Sequence, residues 1–244
     1  MTHNFRYGDN SRVFTLSKLY PHQRLNLSDV CRHDANECCR YIQIDDQPRA
    51  IVVSVDGACI GNGQYWARGG YGIYFGPQSR FNVSNPLKTG PHTSQRVELM
   101  ACFVALNQIE KFCWMNDSCR QLTFVIATDS AYLFNSITSY VYKWRVNDYT
   151  SALGRPVVNQ DLFERIDDKL CSMAYGRQQI DVLFWKVDRS ENQEADRLAR
   201  MGVPDLDSDW KVFILLFVRN HFWAWDTIMS SFLFFSLEQR GEGF

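Results

Sequence analysis

The feature that most constrains the fold of this chain is an acidic residue inside an apolar, strand-like run. Residues 50–59, AIVVSVDGAC, are almost continuously apolar and β-branched, which predicts a strand buried on both faces of a sheet. Asp56 lies within this run, and a buried carboxylate is costly unless a cation or a hydrogen-bond donor compensates it. Gly57 follows and lets another backbone or a phosphate approach closely. The run therefore predicts a covered sheet that carries a functional group.

Strand-like and helix-like patterns follow one another from residue 50 to residue 202. Two more strand-like segments, GGYGIYFG and residues 80–84, precede a predicted helix that begins at Thr93 or Ser94 and ends near Trp114. The later pattern alternates strands with helices at 122–128, 130–141, 160–175, 179–187 and 192–202. This order predicts an α/β fold with a mixed five-stranded sheet, in which an antiparallel meander is followed by parallel strands, and with helices on both faces.

Composition divides the chain into three regions. Residues 1–48 are polar and form a predicted N-terminal extension, residues 49–203 form the predicted domain, and residues 204–244 form an apolar C-terminal tail. The tail lacks the uncharged run of about 18 residues that a membrane span needs, so we expect no membrane span. Three explanations remain open for it: a helix packed on the domain, an interfacial anchor, or sequence translated past the natural end of the reading frame.

Charge and cysteine content limit the partners and the environment. Lys plus Arg number 26 and Asp plus Glu number 27, so bulk charge does not attract nucleic acid and any such affinity must be local. The first residues show no secretory signal, which predicts an intracellular protein. The eight cysteines include no CxxC pair and predict free thiols, and the spacing CRHDANECC predicts no zinc site. We also expect a monomer with no obligate protein partner.

Four carboxylates stand where a fold alone would not require them. They are Asp56, Glu98, Asp129 and Asp196, on four different predicted elements that can meet at one edge of the sheet. Each has a plainer explanation: a helix cap for an Asp at a strand end, a solvated Glu98, and an ion pair of Asp196 with Arg200. Together they predict a hard-metal site, because oxygen ligands suit Mg²⁺ or Mn²⁺, and two such ions can promote in-line phosphodiester hydrolysis.

Four motifs, SVDGAC, TSQRVELMA, ATDSAY and ENQEADRLA, occur in this order within residues 50–202 and resemble the catalytic domain of type 1 ribonuclease H. The resemblance implies a ribonuclease-H-like fold and hydrolysis of the RNA strand of RNA/DNA hybrids, leaving 3′-hydroxyl and 5′-phosphate ends. It also implies that the catalytic residues Asp56, Glu98, Asp129 and Asp196 bind two Mg²⁺ ions, or Mn²⁺ in their place. Residues 49–203 are then the catalytic domain.

Residues 140–166 resemble the substrate-handling segment of the same enzymes. The resemblance implies that Thr93 and Asn159 hold a phosphate of the DNA strand, that Trp144 lines the DNA channel, and that Ser94 and Gln95 reach the minor groove. Ordinary packing is the alternative for Trp144. Lys143, Arg145 and Arg155 offer further phosphate contacts.

Discrimination of RNA from DNA requires contacts with 2′-hydroxyl groups. The backbone of residues 59–63, with Gly57 before it and Glu98 nearby, can supply such contacts, and Asn62 is the predicted side-chain contact. The alternative is that CIGNGQ is only a flexible turn between two strands.

Two departures from the family pattern bear on activity. The loop VDRSEN, residues 187–192, lacks the histidine that the family usually carries there, which leaves Asp188 and Glu191 as nearby titratable groups. Pro91 stands where many relatives have a basic phosphate contact. Three rival functions remain: a non-catalytic hybrid- or RNA-binding module of the same fold, the ribonuclease H portion of a retroelement polyprotein, and a membrane-associated structural protein.

Overall fold

The structure is a computed structural model that describes residues 40–42, 50–115, 123–176 and 179–205. The chain separates into two units, Met1–Val203 and Pro204–Phe244, and the sheet lies in the first. The predicted tail beyond residue 205 and residues 1–39 of the predicted extension, including CRHDANECC, lie outside the described residues. Within the described ranges, no helix is both long and apolar enough to cross a membrane. Of the cysteines within these ranges, Cys102 and Cys113 are buried, and Cys59 and Cys171 are partly buried.

One mixed sheet of six strands, numbered β1 to β6 in chain order from Arg40–Ile42 to Asp181–Lys186, organises the domain. Five of the strands have the spatial order β4-β3-β2-β5-β6, and the short β1 pairs antiparallel with the start of β2. Strands β2, β3 and β4 are antiparallel to one another, whereas β5 and β6 lie parallel to β2. The predicted meander with parallel additions is therefore confirmed. The strands are β1 Arg40–Ile42, β2 Ala50–Ile60, β3 Arg68–Tyr74, β4 Val83–Pro86, β5 Thr123–Thr128 and β6 Asp181–Lys186.

Helices cover the sheet on both faces. Thr93 Oγ1 accepts a hydrogen bond from Arg96 N at 3.2 Å and so caps the first helix, α1, as predicted. The predicted helix at 130–141 contains a π turn, Ser136–Tyr140, and continues to Val146. The helices are α1 Ser94–Met115, α2 Ala131–Asn135, α3 Val141–Val146, α4 Gln160–Tyr175 and α5 Gln193–Met201.

Side chains alternate between two apolar layers along β2. Ile51, Val53 and Val55 belong to a large core shared with α1 and α4, whereas Ala50 and Val52 belong to a smaller cluster on the opposite face. Burial of both sets confirms the interpretation of residues 50–59 as a strand covered on both faces.

Two parts of the sheet differ from the sequence prediction. The strand predicted at residues 80–84 is instead β4, Val83–Pro86. Asn82 Oδ1 accepts a hydrogen bond from Phe75 N at 2.8 Å, so the residues before β4 form a turn. The apolar Phe81 before it is 2% exposed and packs its ring against Phe112. In addition, β1 lies within residues 1–48, so the predicted extension supplies one strand of the sheet.

Candidate active site

Asp56 and Asp129 lie on neighbouring parallel strands. Ser54 of β2 is paired with Ala127 of β5, so the same register two residues further places Asp56 beside Asp129, just past the end of β5. Adjacent strands are about 4.8 Å apart, which brings the two backbones within reach of one ion between their side chains. The strand pairing thus joins two of the four predicted carboxylates.

Gly57 lets α1 approach β2 closely enough to add Glu98. A Cβ on Gly57 would lie 2.5 Å from the backbone nitrogen of Glu98 and 2.7 Å from the carbonyl carbon of Val97. Only a residue without a side chain fits there, so the close contact between strand and helix depends on this glycine. Glu98 Oε2 then accepts a hydrogen bond of 2.5 Å from Ser130 Oγ, which also caps α2.

Gly72 lets α5, which carries Asp196, approach β3 closely. Gly72 is paired with Asp56 across β2 and β3, and a Cβ on Gly72 would lie 2.3 Å from the carbonyl oxygen of Ala195 and 2.4 Å from Ala199 N. The helix backbone therefore rests directly on β3. Asp196 follows Ala195 and enters the site from this face of the sheet.

The negative charges of the other three carboxylates all act on Asp56. The pKa of Asp56 is raised from 3.8 to about 7, mainly by burial and next by the negative charge of Asp129, with smaller contributions from Asp196 and Glu98. The Gly57 N–H opposes this rise by donating to Asp56 Oδ1 at 2.8 Å. Burial likewise raises the pKa of Glu98, against the hydrogen bond from Ser130, and Asp129 adds to the rise. We call Asp56, Glu98, Asp129 and Asp196 the acidic cluster.

Asn192 holds the acidic cluster together and was not singled out from the sequence. Its side chain is 1% exposed, and Nδ2 donates both to Val55 O at 3.0 Å and to Asp129 Oδ1 at 2.7 Å. The backbone carbonyl oxygen of Asn192 accepts a hydrogen bond from Asp196 N at 3.1 Å. One residue therefore connects β2, the end of β5 and the start of α5. Its position at the start of the predicted helix 192–202 was the available signal, but that signal indicates only a cap.

Asp196 is paired with cations. Arg200 Nε lies 2.9 Å from Asp196 Oδ2, and an Arg189 nitrogen lies 3.8 Å from Oδ1. The ion pair with Arg200, which was the plainer explanation for Asp196, is therefore present in the structure.

The donor chemistry of the acidic cluster fits a hard divalent cation, because all four groups supply carboxylate oxygens and the buried Asp56 carries an elevated pKa that a cation would lower. In the conformation seen, no three His, Cys, Asp or Glu side chains of the described residues are grouped closely enough to hold an ion. Glu98 is engaged by Ser130 and Asp196 by Arg200.

A sequence model of the RNase H family matches residues 48–204, more than half of the chain. The chain belongs to the RNase H family. The matched range contains every strand from β2 to β6 and the whole acidic cluster.

Related proteins agree with this membership. Ribonuclease H1 of Rattus norvegicus is 34% identical over 157 residues, which cover 63% of this chain and 50% of the relative. Ribonuclease H of Paramagnetospirillum magneticum is 32% identical over 165 residues, covering 66% of this chain and 94% of the relative. The chain thus spans about half the length of the rat protein and nearly all of the bacterial one.

Solved structures with a similar fold are more distant. A foamy viral protease-reverse transcriptase in complex with RNA/DNA hybrid is 23% identical, with a TM-score of 0.48 and coverage of 62% of this chain and 19% of that one. LC11-RNase H1 in complex with RNA/DNA hybrid is 17% identical, with a TM-score of 0.45 and coverage of 62% and 95%.

In this RNase H domain, Arg96 joins the two residues predicted to hold a phosphate. Its backbone N–H donates to Thr93 Oγ1, and its side chain donates to Asn159 Oδ1 at 3.3 Å. Asn159 has a φ of 63°, a left-handed conformation that asparagine adopts more readily than most non-glycine residues. Arg96 is itself held by Asp161 through two bonds of 2.9 and 2.6 Å. The structure therefore places Thr93 and Asn159 together, through an ion pair that was not predicted.

The predicted minor-groove residues lie at the start of α1. Asn62 Oδ1 accepts a hydrogen bond from Ser94 N at 3.2 Å, so the β2–β3 turn is attached to this helix end, and Gln95 is exposed beside it. In contrast, α1 occupies the space into which a side chain at position 57 would project. The contacts of Gly57, Asn62, Ser94 and Gln95 with substrate remain predictions.

Some side chains of the segment 140–166 make contacts within the domain. Trp144 is half-buried, with its ring centroid 4.9 Å from that of Phe163 and 5.7 Å from that of Tyr140. Arg145 Nε donates to the buried Asp167 at 2.7 Å, which opposes its predicted role as a phosphate contact. Lys143 and Arg155 are exposed. The place of Trp144 in a DNA channel remains a prediction.

The histidine-free loop is closed on itself. Asp188 caps the turn Arg189–Glu191, and the Glu191 side chain accepts from Asp188 N at 3.4 Å. Both titratable groups that the sequence offered in place of the histidine are therefore engaged within the loop.

Proposed function

We propose that this chain is an endoribonuclease that hydrolyses the RNA strand of RNA/DNA hybrids with the aid of divalent metal ions. The observation that carries the proposal is the acidic cluster, in which four elements deliver carboxylates to one place and Asp56 has a pKa raised to about 7. When all four carboxylates are ionised this arrangement costs free energy, which either protonation of Asp56 or a bound cation relieves. Relatives named Ribonuclease H support the same activity.

The acidic cluster would hold two Mg²⁺ ions, or Mn²⁺, which when bound activate the attacking water and stabilise the leaving oxygen of the phosphodiester. The chain's own residues prepare the ligands. Asn192 fixes one oxygen of Asp129, Ser130 orients Glu98, and the Gly57 N–H orients Asp56. Hydrolysis would leave 3′-hydroxyl and 5′-phosphate ends.

Substrate selection would rest on two surfaces beside the acidic cluster. Thr93 and Asn159 would bind a DNA-strand phosphate, since Arg96 holds both and places a positive charge behind them. The turn carrying Asn62, with Ser94 and Gln95, would lie in the minor groove, where 2′-hydroxyl groups identify the RNA strand. We expect the enzyme to act as a monomer inside the cell.

Cleavage assays on the full chain test the proposal. A labelled RNA/DNA hybrid should be cut with Mg²⁺ or Mn²⁺, whereas single-stranded RNA, duplex RNA and duplex DNA should not. Asp129→Asn should abolish cleavage while the protein stays folded by circular dichroism, and Asp168→Asn, at an exposed position on α4, should cleave normally. Cleavage by Asp129→Asn at the normal rate would refute the assigned site.

A second candidate is a non-catalytic hybrid-binding module. Two observations favour it: the loop 187–192 lacks the family histidine, and Asp196 is paired with Arg200 rather than free for an ion. This candidate predicts that the folded chain binds a hybrid and never cuts it under either metal.

A further inference from the structure

The turn between β2 and β3 carries two aromatic side chains for which the proposed reaction has no use. Tyr65 is 100% exposed and Trp66 is 44% exposed. Neither ring is part of the apolar cores formed by the described residues. Burial of aromatic rings is favourable, so a fully exposed Tyr65 beside a partly exposed Trp66 indicates a surface suited to a flat partner. We call residues 61–67 the aromatic turn.

The aromatic turn has a defined shape. Gln64 N donates to Gly61 O at 2.8 Å, and Ala67 N donates to Gln64 O at 3.1 Å, which makes two successive tight turns. The Trp66 ring lies directly against Gly61, where a Cβ would stand 2.3 Å from ring atom Cζ3. Gly61 has a φ of +66°, so glycine serves both the turn and the ring seated on it. The indole is therefore held in place before any ligand arrives.

Three contacts attach the aromatic turn and the strand residues on either side of it to residues 92–94, at the start of α1. Asn62 Oδ1 accepts from Ser94 N at 3.2 Å, Cys59 Sγ lies 3.4 Å from His92 O, and Gly69 N donates to His92 Nδ1 at 2.8 Å. Both ends of the hairpin are thus attached to the residues that begin α1. Glu98 lies four residues beyond Ser94, which is about 6 Å along the helix axis.

We propose that the aromatic turn binds unpaired nucleotides of the RNA strand where that strand leaves the hybrid, with the rings of Tyr65 and Trp66 stacked on the bases. The inference rests on the proposed function. Flat exposed rings stack on any unpaired base, and the backbone of the same turn is where 2′-hydroxyl contacts are predicted, so the RNA strand is the one that passes here. The net charge of the chain is −1, so bulk charge does not attract a nucleic acid, and stacking would add affinity from a different source.

Hybrids that share one duplex and differ only in a single-stranded extension test this proposal. Binding is measured by fluorescence anisotropy with the full chain carrying Asp129→Asn, so that the substrate stays intact. An RNA extension should tighten binding about tenfold relative to a blunt hybrid, because stacking of one base is worth about 1–3 kcal/mol. Tyr65→Ala and Trp66→Ala should each reduce the gain, whereas Trp66→Phe should keep most of it.

Tyr175→Ala is the matched control, because Tyr175 is 70% exposed at the far end of α4 and lies outside the proposed surface. Equal binding of blunt and RNA-extended hybrids, or a gain that survives both alanine variants, would overturn the inference. A DNA extension with the same aromatic-dependent gain would overturn the assignment to the RNA strand. Tyr65→Ala alters a fully exposed side chain, so the test stands even if Trp66→Ala fails to fold. If the unsubstituted chain neither binds nor cuts any hybrid, the proposed function fails and the inference fails with it.

Discussion

Asn192 Nδ2 lies 2.7 Å from Asp129 Oδ1, and the same nitrogen lies 3.0 Å from the carbonyl oxygen of Val55. A single buried amide thus holds a carboxylate of the acidic cluster in one orientation against the adjacent strand. Polar groups that orient metal-binding side chains commonly change metal affinity or activity by about 10- to 100-fold when they are removed.

Asn192→Ala should therefore lower turnover of a hybrid by about 10- to 100-fold and raise the Mg²⁺ concentration needed for half-maximal activity. Asn192→Asp should be worse, because a second carboxylate would face Asp129. Steady-state rates across a Mg²⁺ titration measure the first effect, and calorimetric titration of Mg²⁺ into the substrate-free protein measures ion binding directly. Wild-type ion affinity and turnover in Asn192→Ala would contradict the positioning role.

The Arg96–Asp161 pair should act on substrate binding rather than on turnover. Asp161→Asn removes the charge that holds the Arg96 guanidinium, so Asn159 loses its fixed orientation and KM for the hybrid should rise several-fold with kcat little changed. A double-mutant cycle with Arg96→Met should give a coupling energy of about 0.5–3 kcal/mol. Additive effects of the two substitutions on KM would show that the pair does not act as a unit.

Close packing of α5 on β3 predicts a large effect of one methyl group. Gly72→Ala places a Cβ against the backbone at Ala195 and Ala199 and should lower the free energy of unfolding by about 1–3 kcal/mol or more. Gly63→Ala is the control, because a Cβ there meets nothing within 4 Å and only its φ of +82° is unfavourable. Urea denaturation compares the two, and equal losses would argue against crowding at Gly72.

The pKa of Asp56 predicts how stability varies with pH when metal is removed. The folded-state pKa of about 7 exceeds the ordinary value of 3.8, so the folded protein binds more protons between these pH values than the unfolded chain does. The free energy of unfolding in EDTA should therefore fall as pH rises from about 4 to 7, by up to about 4 kcal/mol from this group. Asp56→Asn should remove most of this slope and be more stable than the wild type at pH 8.

Mg²⁺ supplies the complementary measurement. It should stabilise the wild type at neutral pH and have little effect on Asp56→Asn, because binding to the folded state alone shifts the unfolding equilibrium. Thermal denaturation with Mg²⁺ and with EDTA makes the comparison. An Asp56→Asn protein with an unchanged pH slope in EDTA would show that another group governs the dependence.

The sequence predicted the sheet and singled out the four carboxylates because both leave local signals. An apolar run interrupted by Asp56 is visible within ten residues, and each remaining carboxylate sits at a recognisable strand end or helix. Side-chain partners far apart in the chain leave no such signal. Asn192 is 63 residues from Asp129, and Arg96 is 65 residues from Asp161, so only the folded backbone brings them together.

The misplaced third strand has a similar cause. Phe81 reads as part of a strand because it is apolar, but its ring fills the core from a turn that Asn82 closes onto Phe75. Hydrophobic pattern records burial, and burial is shared by strands and by turns that cover a core.

The short strand β1 has a practical consequence for anyone who trims this protein. Residues 40–42 occupy the side of β2 at Ala50–Val52 that β3 does not reach, while β5 occupies the other side. The family match begins at residue 48, so a fragment cut to that boundary would lack β1 and leave the backbone donors and acceptors on this side of Ala50–Val52 unpaired. Such a fragment would expose an unpaired strand edge that can pair with another copy. Its self-association would result from the truncation and would not be a property of the full chain.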